Sequence, residues 1–188
     1  MAKKRNINVK NNSKNNAVNI FVRYIILILI AIPNIYLFYF IFTSLTIYPV
    51  FYFINFFTKA TLNGTIISFG ADNIEIVGAC VAGSAYYLLT ILNLSTPNIK
   101  IKKRILMLFI SYLTFLILNI ARIVFLSYLI FIDSAYFDAT HKILWYSLST
   151  LLVVIIWFSE VKFFKINSIP VYEDVKFLYR KSLFKKKR

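Results

Sequence analysis

Apolar runs close to the thickness of a lipid bilayer recur along this chain, and they leave few folds open to it. A helix needs roughly 20 mainly apolar residues to cross the hydrocarbon core, where every backbone polar group must be bonded within the segment. The stretch 24–42, "YIILILIAIPNIYLFYFIF", is of that order. It is too long for a signal-peptide core and has no small-residue cleavage site, so it reads as an uncleaved first span kinked at Pro33. Further spans are expected at Ile76–Leu94, within Ile105–Ile132, and at His141–Phe164. The third exceeds the usual thickness and should tilt or protrude.

Residues 46–73 are also apolar but are punctuated by Pro49, Lys59, Asn63, Gly64 and Gly70. Val50–Ala60 is expected to form a short helix lying in the outer interface, and "TIISF" after Asn63-Gly64 a short extended piece. The expected fold is therefore an all-α integral membrane protein. It is a four-span helical bundle, with an extra outer interfacial helix and a short extended segment between spans one and two. Residues 1–19 read as a flexible basic cytoplasmic tail, 20–166 as the transmembrane domain and 167–188 as a basic cytoplasmic tail.

Composition supports the class: 60% of the residues are apolar, and the mean hydropathy is +0.72, well above the roughly 45–50% apolar share of a soluble domain. The net charge of +15 would suit nucleic-acid binding if it lay along an exposed face, but it is concentrated at the tails and in the loop "KIKKR". Basic residues in short flanking segments stay on the cytoplasmic side. With both tails inside, six Lys or Arg up to Arg23, four in the loop 100–104 and nine from Lys162 onward are cytoplasmic, and only Lys59 and Lys142 lie outside. Counting residues 50–60 as a fifth span would put the loop outside, so that arrangement is rejected. No internal or inverted repeat of the transporter kind is visible. One cysteine and one histidine cannot hold a structural zinc or an internal disulfide; no metal and no cofactor are expected.

Three chemically distinctive side chains fall toward the outer face. Cys80 lies about one turn into the second span, His141 begins the fourth, and Arg122 sits in the third, roughly 15 Å below Ile132 if the segment is helical. Taken singly, a cysteine in an apolar helix is commonly an inert small hydrophobe, and a boundary histidine beside Lys142 an interfacial residue. Arg122 differs, because an arginine within a span costs about 2.5–3.5 kcal/mol on insertion scales and usually marks a function. Asn119 shares its helical face and can orient the guanidinium. Together the three suit acyl transfer. A thiol attacks a carbonyl as its thiolate, which a helix N-terminus or a cation favours. A histidine can accept its proton, and a guanidinium can stabilise thiolate or oxyanion.

These residues stand in motifs that resemble the exosortase/archaeosortase family of membrane transpeptidases. "IEIVGACVAGSAY" is similar to the family's cysteine motif, "NIARI" at Asn119–Ile123 to its Asn-x-x-Arg motif and "ATHKILWY" to its histidine element. Their order and spacing agree, and "NFFTKATLNGTIISFGADNIEI" is similar to the outer segment that precedes the family's cysteine. The resemblance covers roughly residues 45–160. It implies that residues 20–166 form a catalytic domain with Cys80, Arg122 and His141 as catalytic residues and Asn119, Gly83 and Ser84 in support. One departure is that Val81 and Ala82 follow the cysteine where the family usually reads Ser or Thr and then Gly; here glycine comes only at Gly83.

The implied activity is cleavage of secreted proteins that end in a motif, a transmembrane helix and a basic cluster. It proceeds through an acyl-enzyme, with transfer to a lipid or other envelope acceptor. The implied location is the cell membrane with the site on the extracytoplasmic face; no nucleic-acid partner is expected. The rival reading is a non-enzymatic small transporter subunit or membrane scaffold in which Arg122 binds an anionic group, although the midplane of the other spans carries few polar residues. Another cysteine-dependent lipid or acyl transferase would share the chemistry and differ in substrate.

Overall fold

The computed structural model describes residues 18–29, 36–97, 99–145, 149–166 and 170–185. Helices α1 (Val18–Leu29) and α2 (Tyr36–Phe57) are followed by strands β1 (Ala60–Asn63), β2 (Ile66–Phe69) and β3 (Asp72–Glu75). Then come α3 (Gly78–Val81), α4 (Gly83–Ser95), α5 (Ile101–Phe131), α6 (Phe137–Ile143), α7 (Ser149–Phe163) and α8 (Tyr172–Lys185). The molecule is mostly helical. Three stretches, Tyr36–Phe57, Gly78–Ser95 and Ile101–Phe131, are long and apolar enough to cross a membrane. The segment expected as a fourth span is divided among α6, α7 and residues 146–148, which lie outside the described residues.

Two sequence expectations are corrected here. The first helix long and apolar enough to span is α2; the expected span 24–42 falls partly in α1, partly in residues 30–35 outside the described residues and partly in α2, and Val50–Ala60 forms no separate interfacial helix, its residues up to Phe57 continuing α2 through Pro49. Proline removes one helical hydrogen bond and ordinarily ends a helix in water. In an apolar surrounding, unwinding would strip many more backbone groups of partners than the one Pro49 removes, so the helix continues. Its buried side chains Phe38, Phe42, Thr46, Val50 and Ile54 recur every four residues and form one stripe that extends on both sides of the proline. The kink expected at Pro33 lies outside the described residues.

The extended piece "TIISF" is the centre of a three-stranded antiparallel sheet of order β1-β2-β3. Each hairpin turns in two residues, Gly64-Thr65 and Gly70-Ala71, with the glycine first at φ +63° and +60°. Short hairpin loops demand that left-handed conformation, and glycine adopts it without a Cβ clash. Leu62, Ile67 and Ile74 stand opposite one another across the three strands and pack on the helical core with Phe69.

Between helices in lipid, association relies on close packing and polar contacts, since lipid tails are as apolar as leucine. The centre of this bundle is aromatic. Tyr86 of α4 is fully buried, stacks on Phe42 of α2 with centroids 3.6 Å apart and planes 8° apart, and meets Phe115 of α5 edge-on at 4.9 Å. Polar contacts tie the same helices: the Thr90 and Tyr112 hydroxyls bond each other, and Ser111 Oγ donates to Glu160 Oε2 of α7 at 2.6 Å. Buried Arg104 donates to the carbonyls of Asn93 and Thr96, the latter at 2.8 Å, and so caps the carbonyl end of α4. At the same end, Arg23 of α1 pairs with Asp174 of α8 at 2.6 Å.

Phe42→Ala, which deletes the stacking partner of Tyr86, is expected to destabilise the protein by about 3–5 kcal/mol. The check is the thermal midpoint of detergent-solubilised protein. Phe40→Ala, at a position 73% exposed, leaves that midpoint unchanged.

Candidate functional site

Cys80 reaches the site on a single turn of helix that is cut off from the span behind it. Buried Ile76 anchors the exit from the sheet, its N–H donating to Thr65 O at 2.9 Å. Val77 is extended, and its carbonyl accepts from Cys80 N–H at 2.8 Å and Val81 N–H at 3.3 Å, opening α3. One turn later Ala82 adopts the left-handed conformation, φ 57° and ψ 46°, and α4 restarts at Gly83. For a residue with a Cβ this conformation costs roughly 1–2 kcal/mol, which something in the surroundings must offset.

The break has a direct electrostatic consequence. It takes the Cys80 carbonyl out of the helical ladder, and a buried carbonyl without a donor is costly. Two side chains of α5, one turn apart, supply donors: Asn119 Nδ2 at 2.9 Å and Arg122 Nη2 at 3.2 Å. Asn119 also approaches Val81 O at 3.5 Å. Asn119 is itself buried, while Arg122 is half-buried on the wall of the cavity that Cys80 also lines.

His141 comes from α6, beyond the end of α5. Its ring lies between two aromatic neighbours spaced four residues on either side, Phe137 at 5.5 Å and 17° and Trp145 at 5.4 Å and 39°. These contacts limit the tilt of the imidazole while leaving it half-buried rather than sealed.

A cavity of about 360 Å³ is lined by Cys80, Arg122 and His141 together. Its walls are the end of the sheet from Asn73 to Val77, the face of α5 bearing Leu126, Ser127 and Ile130, and the aromatic flank of His141. The free thiol is half-buried at this cavity. The other residues singled out in the sequence fall differently: Asn119 stands behind the cavity and holds the Cys80 backbone, whereas Gly83 is buried and Ser84 exposed at the start of α4, neither of them lining it. A second cavity, about 620 Å³, lies by the Arg23–Asp174 pair and Arg104 and contains none of the three.

Sequence reasoning missed several lining residues. Leu126 and Ile130 follow Arg122 at helical spacing, and Phe137 and Trp145 flank His141 at the same interval, so the period was available to find them. The sheet wall carried a weaker signal: two glycines at hairpin spacing, with a third strand, "DNIE", too polar to read as buried.

Comparisons of the chain with family models, with curated proteins and with solved structures return no match.

What the geometry can do chemically follows from its parts. A half-buried thiol, an imidazole held by its neighbours and a cation share one small volume with apolar walls, where charge interactions are stronger than in water. Two substitutions test how the thiol is held. Asn119→Ala should cost about 1 kcal/mol by removing one of the two donors to the Cys80 carbonyl. Ala82→Gly should preserve the thermal midpoint where Ala82→Val lowers it, because only glycine is at ease at φ 57°. Thermal midpoints of the purified variants decide both.

Proposed function

We propose that this protein is a membrane-embedded cysteine transpeptidase. It would cleave C-terminal sorting signals, consisting of a motif, a transmembrane helix and a basic cluster, from secreted proteins. The observation that carries the reading is the single cavity lined by Cys80, Arg122 and His141, three side chains delivered by separate elements of the chain. The resemblance of their motifs to the exosortase/archaeosortase family gives the reading its substrate class.

In this reaction His141 takes the Cys80 proton, and the sulfur forms a bond to the carbonyl carbon of the scissile peptide. Arg122 stabilises the negative charge that passes from sulfur to the carbonyl oxygen. As the C–N bond breaks, the imidazolium returns its proton to the departing amine, leaving a thioester on Cys80. A nucleophilic group of a lipid or other envelope acceptor then attacks the thioester, loses its proton to His141 and releases the thiol. Asn119 is a positioning residue in this scheme, acting through the Cys80 carbonyl.

The supporting topology has four crossings, supplied by α2, by α3 with α4, by α5, and by the segment that includes α7. Both tails and the loop before α5 are cytoplasmic, and the sheet, α6 and the cavity lie at the extracytoplasmic face. A substrate helix lying beside the bundle would bring its motif level with Cys80. The rival role for Arg122, capture of a free anion, leaves the thiol and the imidazole on the same cavity wall without a task.

The experiment is maturation of a co-expressed secreted protein that carries such a tail, chosen from the source genome by its shared motif. Cys80→Ala abolishes maturation, and His141→Ala and Arg122→Ala reduce it by about 10²-fold or more, with each variant still in the membrane. Normal processing by Cys80→Ala removes the proposal.

A further inference from the structure

The sheet beside Cys80 ends in a strand whose outer edge pairs with no other described strand, and hydrogen-bond phase shows which groups that edge presents. In a two-residue hairpin the residues flanking the loop form a hydrogen-bonded pair, and bonded and non-bonded pairs alternate from there. The Gly70-Ala71 loop makes Phe69–Asp72 a bonded pair and therefore Ile67–Ile74 another. The bond from Ile76 N–H to Thr65 O at 2.9 Å continues the same phase. Asp72, Ile74 and Ile76 thus spend their backbone groups on β2, while Asn73 and Glu75 direct theirs away from it. No other described residue hydrogen-bonds to the backbone of Asn73 or Glu75.

The two edges of this sheet are treated differently. On β1 the phase turns Ala60 and Leu62 outward, and the Ala60 N–H is taken by Asn55 Oδ1 of α2 at 3.1 Å. Natural edges are commonly blunted by shortness, charge, proline or a bulge; β3, "DNIE", is four residues long and carries Asp72 and Glu75, but it has no lysine, proline or bulge. Its edge borders the cavity, since Asn73 and Glu75 both line it, and the chain continues from Glu75 to Cys80 in five residues.

We infer that this edge is the docking rail for substrate: an extended polypeptide segment pairs its main chain with the outward groups of Asn73 and Glu75, which carries a backbone carbonyl into the cavity of Cys80. The occupant is polypeptide because the rail offers alternating backbone donors and acceptors at strand spacing, the complement of another extended chain. Main-chain pairing makes affinity insensitive to most side chains, and only positions facing the cavity walls are selected. This inference rests on the proposed transpeptidase reading and adds the mode of recognition.

The test needs no known substrate. Acetyl-tetraalanyl vinyl sulfone and ethyl vinyl sulfone both modify a thiol by addition of sulfur across the double bond, and only the first has a chain to pair. On the full-length protein in detergent, intact mass gives the rate of modification of Cys80. The peptide reagent should react about tenfold faster, the effect of one or two net hydrogen bonds. The same reagent with alternate amides N-methylated should lose that advantage. Glu75→Pro removes an outward N–H without touching the bonds to β2, a position where an edge strand tolerates proline, and should bring the peptide rate down toward that of ethyl vinyl sulfone. If this variant does not fold, the N-methylated reagent on unaltered protein decides alone. Equal rates for the two peptide reagents overturn the rail and leave the role of Cys80 standing. A Cys80 unreactive even to ethyl vinyl sulfone overturns the transpeptidase reading, and the rail falls with it.

Discussion

The carbonyl oxygen of Cys80 is the acceptor on which the arrangement of this molecule turns. It is available because the helix breaks at Ala82, and it is taken up by Asn119 and Arg122 of α5. A buried carbonyl left bare would cost more than an ordinary hydrogen bond returns, so the break and the two donors depend on each other. Through this contact the turn that carries the thiol is referenced to α5, the longest described helix, rather than to α4, which follows it. The same α5 face then continues past Arg122 through Leu126 and Ile130 toward α6, so one rigid helix sets the distance between the cysteine and the histidine elements.

The rest of the bundle can be understood as support for that reference. Hydrophobic burial does little between helices surrounded by lipid tails, and the contacts are accordingly geometric and polar: the Phe42–Tyr86 stack, the Thr90–Tyr112 hydroxyl pair, the Ser111–Glu160 bond, and Arg104 on the end of α4. Each joins α4 or α5 to a neighbour, and none lies in the cavity. The pocket residues are thereby relieved of holding the fold together, which leaves room for a left-handed alanine and an arginine within a span.

Much of this was legible in the amino-acid order, and the gaps have physical reasons. The apolar runs and the charge distribution fixed the class, and Cys80, Arg122 and His141 stood out because thiol, guanidinium and imidazole are out of place in such runs. The structure brings those three together. The first span was misplaced because the proline rule of soluble helices was applied at Pro49, where an apolar surrounding makes continuation cheaper than unwinding. The sheet was read as one extended piece because the polar strand "DNIE" lacks the alternation of a half-buried strand, although both hairpin glycines were noticed as interruptions of the apolar stretch. The break at Ala82 was invisible: nothing in "ACVAGS" announces a left-handed alanine when a glycine stands next to it. The function of Asn119 was read as a partner for Arg122, whereas both residues reach for the same backbone atom.

The interruption at Ala82 also separates two tasks that a continuous helix would merge. Downstream of it, α4 takes its position from the buried contacts of Tyr86 and Thr90 with α2 and α5. Upstream, the turn that bears the thiol keeps its bearing from α5. A substitution that shifts the axis of α4 is therefore not passed on directly to the sulfur, whose turn is held by separate bonds.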